Sequence, residues 1–296
     1  MKSFKKRAIH TRFFYNTHEG VNMKKIVITG VTSGIGRALL LRLNQEGHHV
    51  IGVARNKEKL EQLKPLLNTP FSLIQADLSQ TKEVIKAAQK ILKEHDHLDV
   101  LINNAATVLG ALVVSEEGHE MQFQVNHLAV VTMTHQLLPI LEKSNGLIIT
   151  TSSDAHKPAK YHKNRIQRLE KYSLMGAYSE TKLYNLLFTK ALNRIVDTNS
   201  FACAVHPGLV NTDLGGKDTK GMMQKFWRFL ARRGITPEAS TQTYVDLING
   251  TLKDYDYVSD RKPNKATKTA NNVEFQNHLW TYTNEQLNIK WKTKKA

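Results

Sequence analysis

Short apolar runs recur along this chain, separated by longer stretches with helical periodicity, and this alternation restricts the fold more than any other feature. The runs cover residues 25–29 (KIVIT), 50–54 (VIGVA), 71–75 (FSLIQ), 99–103 (DVLIN), 147–151 (LIITT) and 201–205 (FACAV). They are rich in Val and Ile and contain no Pro, as strands require. Helical patterns fill 34–46, 57–66, 81–94, 117–141 and 174–195. Strands that are apolar along their whole length are buried on both faces, and a helix between each pair lets neighbouring strands run parallel. We therefore expect an α/β protein built on a single doubly wound, Rossmann-type parallel sheet with helices on both faces. Its ligand should lie beyond the carboxyl ends of the strands.

Composition agrees with one large globular domain. Of 296 residues, 41% are hydrophobic and 23% charged, which is the balance of a packed core and not of a disordered polycation. One cysteine, Cys203, excludes a disulfide framework and a cysteine-based zinc site, and it fits a reducing, cytoplasmic setting. Thirteen histidines are scattered without ligand spacing, so no metal site is expected, and His156 and His206 are expected to be structural. The longest uncharged run, 121–141, is interrupted by Gln122, Gln124, Asn126, His127, His135, Gln136 and Pro139, and predicts a buried helix, not a membrane span.

The formal charge of +16 is concentrated at the ends: residues 1–22 carry +4 and residues 261–296 carry +6. Like charges at chain ends are usually solvated tails. No element with groove-reading geometry is visible, so we expect no nucleic-acid partner. The N-terminal segment lacks the apolar region of a secretory signal, and Met23 opens MKKIVITG, where the first strand begins almost at once. The expected organisation is an N-terminal arm, disordered or an over-called start, over 1–22, a Rossmann-type domain over 23–260, and a basic C-terminal extension over 261–296 that packs on the domain or trails from it.

Directly after the first strand comes Gly30-Val31-Thr32-Ser33-Gly34-Ile35-Gly36, followed by a helical pattern. Glycines here let the backbone turn sharply and approach a pyrophosphate, which then lies at the positive end of the next helix. The spacing G-x-x-x-G-x-G differs from the general dinucleotide fingerprint G-x-G-x-x-G.

With its leading Thr29, this loop resembles the opening signature of the short-chain dehydrogenase/reductase family. Asp77-Leu78, Asn103-Asn104-Ala105-Ala106, Tyr178-Ser179-Glu180-Thr181-Lys182 and Pro207-Gly208-Leu209-Val210-Asn211-Thr212 follow in family order. The resemblance spans roughly residues 24–250, and Val125-Asn126-His127 and Ser152-Ser153-Asp154-Ala155-His156 look like the retinol-dehydrogenase-like branch. One departure is Ala106, where the family usually has Gly; a methyl there is expected to crowd the turn slightly. The resemblance implies that Thr32, Ser33, Gly34, Ile35 and Gly36 cradle the cofactor phosphates with Gly30. It also implies that Asp77 and Leu78 flank the adenine, that Asn103 and Ala105 lie near the nicotinamide ribose, that Val210 and Thr212 hold the carboxamide, and that Pro207 belongs to the cofactor-binding set. Family members are commonly dimers or tetramers, so a homo-oligomer is an expectation by analogy.

Cofactor preference turns on the end of the second strand. An acid there would hydrogen-bond a ribose 2′-hydroxyl, but the chain has Arg55, whose guanidinium suits a 2′-phosphate. NADP(H) is expected ahead of NAD(H). Tyr178 and Lys182 are four apart in a helical pattern and so share a helix face. An ammonium beside a phenol favours the phenolate and should draw its pKa from about 10 toward neutrality, where it can exchange a proton with a carbonyl oxygen. By resemblance, Ser153, the second of the Ser152-Ser153 pair, donates to the substrate oxygen. The resemblance further implies that Lys182 holds the nicotinamide ribose hydroxyls. Asn126 binds a water linking Lys182 to solvent, unless its amide only satisfies backbone groups.

On the substrate side, residues 157–175 form a polar, basic insertion expected at the cleft rim. Residues 221–233 (GMMQKFWRFLARR) are amphipathic and, by resemblance, form a lid. An apolar lid suits a hydrophobic or amphiphilic small-molecule carbonyl or alcohol, and is preferred to contact with an anionic membrane. The alternative from another class is a cofactor-binding regulatory or scaffold protein of the same fold without turnover.

Overall fold

The computed structural model describes residues 22–68, 70–211 and 234–294. At its centre, β1 (Lys25–Thr29) pairs in parallel with β2 (His49–Ala54) on one side and β4 (Val100–Asn103) on the other. Outward from these run β3 (Phe71–Gln75) beyond β2, and β5 (Leu147–Thr151), β6 (Phe201–His206) and β7 (Tyr257–Ser259) beyond β4, all parallel. A two-residue strand, β8 (Lys262–Pro263), closes that edge antiparallel, giving the order β3-β2-β1-β4-β5-β6-β7-β8. The expected doubly wound parallel sheet is present, and each of the six apolar runs forms one of its strands. The strand order reverses between β1 and β4, where a crevice opens at the carboxyl ends.

Side-chain alternation divides the core into two halves. Val27, Ile51, Leu101 and Ile148 meet α3 (Thr81–Glu94), α5 (Ala129–Leu141) and α6 (Leu174–Ile195) on one face. Ile26, Ile28, Val50, Ile102 and Ile149 meet α1 (Gly34–Gln45) and α8 (Gln242–Ile248) on the other. Both faces of a strand such as β1 are therefore fully buried, which is why its sequence carries no polar alternation.

The helix boundaries depart from the sequence reading in two places. The pattern at 57–66 breaks into α2 (Lys57–Glu61) and a 3₁₀ turn (Lys64–Leu66), because Pro65 has no N–H to continue an α-helix. The helix expected from 117 begins instead as α4 (Met121–Phe123). Gly118 holds φ +84°, and Glu120 caps the new start by accepting from the N–H groups of Gln122 and Phe123. A π turn (Gln124–Leu128) then leads into α5.

The C-terminal segment carries an unforeseen helix. After the short α7 (Pro237–Ser240) and α8, the chain forms α9 (Val273–Leu287), which packs along α6. Leu279 is buried beside Tyr184 and Leu187, and Trp280 stacks on Phe188 with ring centroids 5.9 Å apart. Past α9 the chain continues to a bridge between Val196 and Thr293. Among the described residues, no helix is long and apolar enough to cross a membrane.

Candidate active site

The glycine loop enters the β1/β4 crevice with Gly30 at φ +77° and Gly34 at φ +53°, both in the left-handed region that favours glycine. A Cβ on Gly36 would lie 2.3 Å from the Gly30 carbonyl oxygen and 2.5 Å from Asn104 Nδ2. Only glycine fits this turn of α1. Ser33, the N-cap residue of α1, makes no side-chain capping bond, whereas Asn56, Ser173 and Asn272 cap α2, α6 and α9 with theirs. An uncapped helix N-terminus approached by bare backbone suits an anionic group such as a pyrophosphate. Thr32 is half-buried and Ser33 exposed beside it, while Ile35 packs against the core.

Asn104, absent from the expected site residues, joins the strand ends around this crevice. Its Nδ2 donates to the Thr29 carbonyl (3.0 Å), its backbone N–H to Thr29 Oγ1 (3.0 Å), and its Oδ1 accepts from Thr151 Oγ1 (3.5 Å). Ala105 N–H also donates to Thr29 Oγ1 (3.0 Å). Ala106 has no positive φ, so the residue at this position does not call for glycine on backbone grounds. Asn103 is buried and donates to Thr134 Oγ1 (3.0 Å) on α5. Thr29, Leu78, Asn103 and Ala105 line one shared recess with residues of the π turn and α5.

At the ends of β2 and β3, Arg55 Nη1 lies 3.9 Å from Asp77 Oδ2, with the Arg55 side chain 78% exposed. Asp77 is itself held by Ser79, whose N–H and hydroxyl both donate to Oδ1. So exposed and distant a pair contributes little.

The proton-handling residues converge at the end of β5. Ser152 is buried and its hydroxyl donates to the Lys182 carbonyl (3.1 Å), a structural role. Ser153 is half-buried, accepts from Ala155 N–H (3.2 Å) and lies near enough to Tyr178 to lower the pKa of its phenol. Lys182 Nζ donates to the Thr151 carbonyl (2.8 Å) and lies 5.5 Å from the Tyr178 ring centroid. Tyr178 and Lys182 are both buried on α6. Burial governs their titration: it pushes the Tyr178 phenol up to about 12, against a smaller lowering by nearby Ser153, and brings Lys182 down to about 8. This corrects the sequence expectation of a phenol drawn toward neutrality; desolvation outweighs an ammonium aimed at the Thr151 carbonyl.

Asn126 lies on the π turn, a distortion often found at functional sites. Its amide grips the loop after β4 at two points: Oδ1 accepts from Thr107 N–H (2.7 Å) and Nδ2 donates to the Thr107 carbonyl (2.9 Å). Nδ2 also lies 3.3 Å from Thr181 Oγ1. The side chain thus satisfies backbone groups and borders the residue before Lys182.

Beyond β6, Gly208 turns the chain at φ +86°, Pro207 and Val210 are half-buried, and Val210 bridges to Ile235. Thr212, the 221–233 lid and residues 1–21 lie outside the described residues. His206 belongs to a supporting network: its Nδ1 accepts from Asp154 N–H (3.2 Å), and Asp154 Oδ1 accepts from the Tyr257 hydroxyl (3.0 Å). His156 is buried, with Nδ1 2.7 Å from the Ser153 carbonyl. Cys203 is a buried free thiol. Among the described residues no group of acids, histidines or cysteines could hold a metal ion.

The profile of the short chain dehydrogenase family matches residues 24–222. Retinol dehydrogenase 13 of Mus musculus is 31% identical over 276 residues, covering 87% of this chain and 82% of its own. The chloroplastic short-chain dehydrogenase TIC 32 A of Brassica napus is 32% identical over 279 residues, covering 87% and 86%. Among solved structures, an alcohol dehydrogenase from the archaeon Thermococcus sibiricus in complex with 5-hydroxy-NADP superposes with a TM-score of 0.62, at 20% identity, over 83% of this chain and all of that one. With a crevice built for a dinucleotide and a buried Tyr-Lys pair beside it, this chain belongs to the short-chain dehydrogenase/reductase family, in its retinol-dehydrogenase-like branch, and is an oxidoreductase that interconverts carbonyl and alcohol groups.

Proposed function

We propose that this chain is an NADP(H)-dependent oxidoreductase acting on a hydrophobic or amphiphilic small-molecule carbonyl or alcohol, with Tyr178 as its acid and base. The observation that carries this reading is the buried Tyr178/Lys182 pair on α6, with Lys182 Nζ 5.5 Å from the Tyr178 ring and held to the carboxyl end of β5 by the Thr151 carbonyl. Bound NADPH supplies the hydride. Ser153 orients the substrate oxygen, and Tyr178 donates its proton to that oxygen as negative charge develops. A phenol pushed up to about 12 is protonated at neutral pH, which suits the reductive direction. Lys182 keeps donor capacity beyond its bond to Thr151, and that capacity is available to ribose hydroxyls.

Arg55 supports NADP(H) over NAD(H), since it stands where an acid would select a free 2′-hydroxyl. Val108, Leu174 and the half-buried Tyr172 and Ala155 pack around Tyr178, and this apolar wall supports a hydrophobic substrate. The buried free thiol of Cys203 suits a reducing compartment, and we place the protein in the cytoplasm.

The test is NADPH oxidation with a panel of aldehydes, ketones and quinones, comparing wild type with Tyr178→Phe. Turnover should fall at least about a thousandfold while NADPH binding persists. Wild-type-like turnover in the variant overturns the assignment, and NADPH binding with no turnover on any panel member favours the scaffold alternative.

A further inference from the structure

Residues 157–173 are held to the protein more firmly than an ordinary surface loop. Tyr161 stacks on Phe275 of α9 (centroids 4.7 Å apart) and its hydroxyl lies 2.8 Å from His278 Nδ1. Gln167 accepts from Glu120 N–H (2.9 Å) and donates to the Tyr282 hydroxyl (2.9 Å). At the centre is Glu180 of α6, whose side chain is 4% exposed. Its carboxylate receives both Nε and Nη2 of Arg168, at 2.9 Å each, and Nη2 of Arg165 at 3.3 Å. A Cβ on Gly176 would lie 2.7 Å from Arg168 Cζ, so the guanidinium reaches the carboxylate only across a bare turn of α6.

Glu180 is two residues from Tyr178 and two from Lys182, which places it on the opposite side of the helix from the reactive pair. One face of α6 thus carries the proton-handling groups and the other carries an anchor. Four residues after Arg168, Tyr172 reaches the loop after β4: its hydroxyl donates to the Leu109 carbonyl (2.7 Å) and accepts from Gln122 Nε2 (2.6 Å). Tyr172 and Leu174, with Val108, form the apolar wall around Tyr178. Where Arg168 is held therefore limits where that wall can stand. A buried carboxylate is costly unless paired, and a forked, two-point ion pair specifies geometry more than it adds stability.

We propose that Glu180, through Arg168 and Arg165, is a positioning residue: it latches residues 157–173 to the back of α6 and thereby fixes the apolar wall beside Tyr178 that binds the substrate. This rests on the oxidoreductase reading of the site, and the two are tested separately. The segment carries exposed Lys160, Lys163 and Lys171, so trypsin reports on its fastening without reference to activity. In the NADPH-bound full chain, Glu180→Gln should speed cleavage within 157–171 by about tenfold. With decanal as substrate, the same variant should raise KM about fivefold or more with kcat within about twofold and NADPH affinity unchanged, the split expected of lost substrate binding. Arg168→Gln, whose guanidinium is less buried than its partner, should act in the same direction and serves if Glu180→Gln does not fold. Unchanged trypsin cleavage overturns the latch, and faster cleavage with unchanged KM overturns the positioning role. Full turnover in Tyr178→Phe, or no turnover of any aldehyde, ketone or quinone of the panel by the wild type, overturns the reading of the site and the KM claim with it, while the trypsin result still decides the latch.

Discussion

His127, on the π turn next to Asn126, shares a buried hydrogen bond of 3.1 Å with Thr283 of α9, 156 residues further along the chain. Its other ring nitrogen lies 3.3 Å from Asn185 Oδ1 on α6, so one imidazole ties three elements together. Burial holds it neutral, bringing its pKa from 6.5 down to about 4. The unfolded chain binds a proton here near pH 6.5 and the folded one only near 4, so the His127 contribution to stability is complete above pH 6.5 and is lost as pH falls through 4. The shift corresponds to about 3 kcal/mol. Urea unfolding of His127→Gln should show a shallower loss of stability between pH 7 and 4 than wild type, and an identical slope rules this out.

Lys182 shifts stability in the same direction with pH, but over a window above neutrality. Its folded pKa of about 8 lies below the ordinary 10.5, so below pH 8 a buried ammonium weakens the fold, and stability recovers as pH rises from 8 to 10.5. Lys182→Met should be more stable than wild type at pH 7 by roughly 1–3 kcal/mol, with the advantage shrinking by pH 10, and should lose turnover. Urea titrations at the two pH values decide the point: an equal or lower midpoint at pH 7 contradicts it.

Gly36→Ala tests the closeness of the glycine loop to Asn104. The added methyl must displace both the Gly30 carbonyl and the Asn104 amide, and overpacking of backbone costs about 3 kcal/mol. We expect a lower melting temperature together with loss of NADPH binding by fluorescence titration. Wild-type affinity in the variant means that the loop can open without harm.

Arg55→Ala tests cofactor preference. NADPH affinity should fall by about tenfold while NADH affinity stays within about twofold, because the guanidinium has little else to hold than a distant Asp77. Equal losses for both cofactors, or none for either, contradict a role at the 2′-phosphate.

The sheet was legible from sequence because burial on both faces removes polar residues from a strand, so runs such as 147–151 stand out without alternation. The short β7 and β8 were not, since three and two residues give no periodic signal. The loop glycines and the Tyr178/Lys182 pair were legible as residue types at fixed spacings between recognisable elements. Asn104 was harder to see: its importance lies in meeting Thr29 and Thr151, which come together only when β1, β4 and β5 are side by side. The phenol shift of Tyr178 was misjudged because spacing reports a neighbouring charge and not the depth at which both groups sit. Helix α9 escaped notice because its core contacts, Leu279, Thr283 and Trp280, are spread among polar residues, and because the positive charge of the segment suggested a solvated tail.

Helix α9 also imposes an order on assembly. Its side chains close over α6 and the π turn, elements made long before it, and through Tyr161 and Gln167 it holds the segment that walls the site. During synthesis the sheet can pair and the glycine loop can form while residues 273–294 are still missing. The elements that line the crevice are therefore synthesised first, and the helix that fastens the substrate wall is synthesised last.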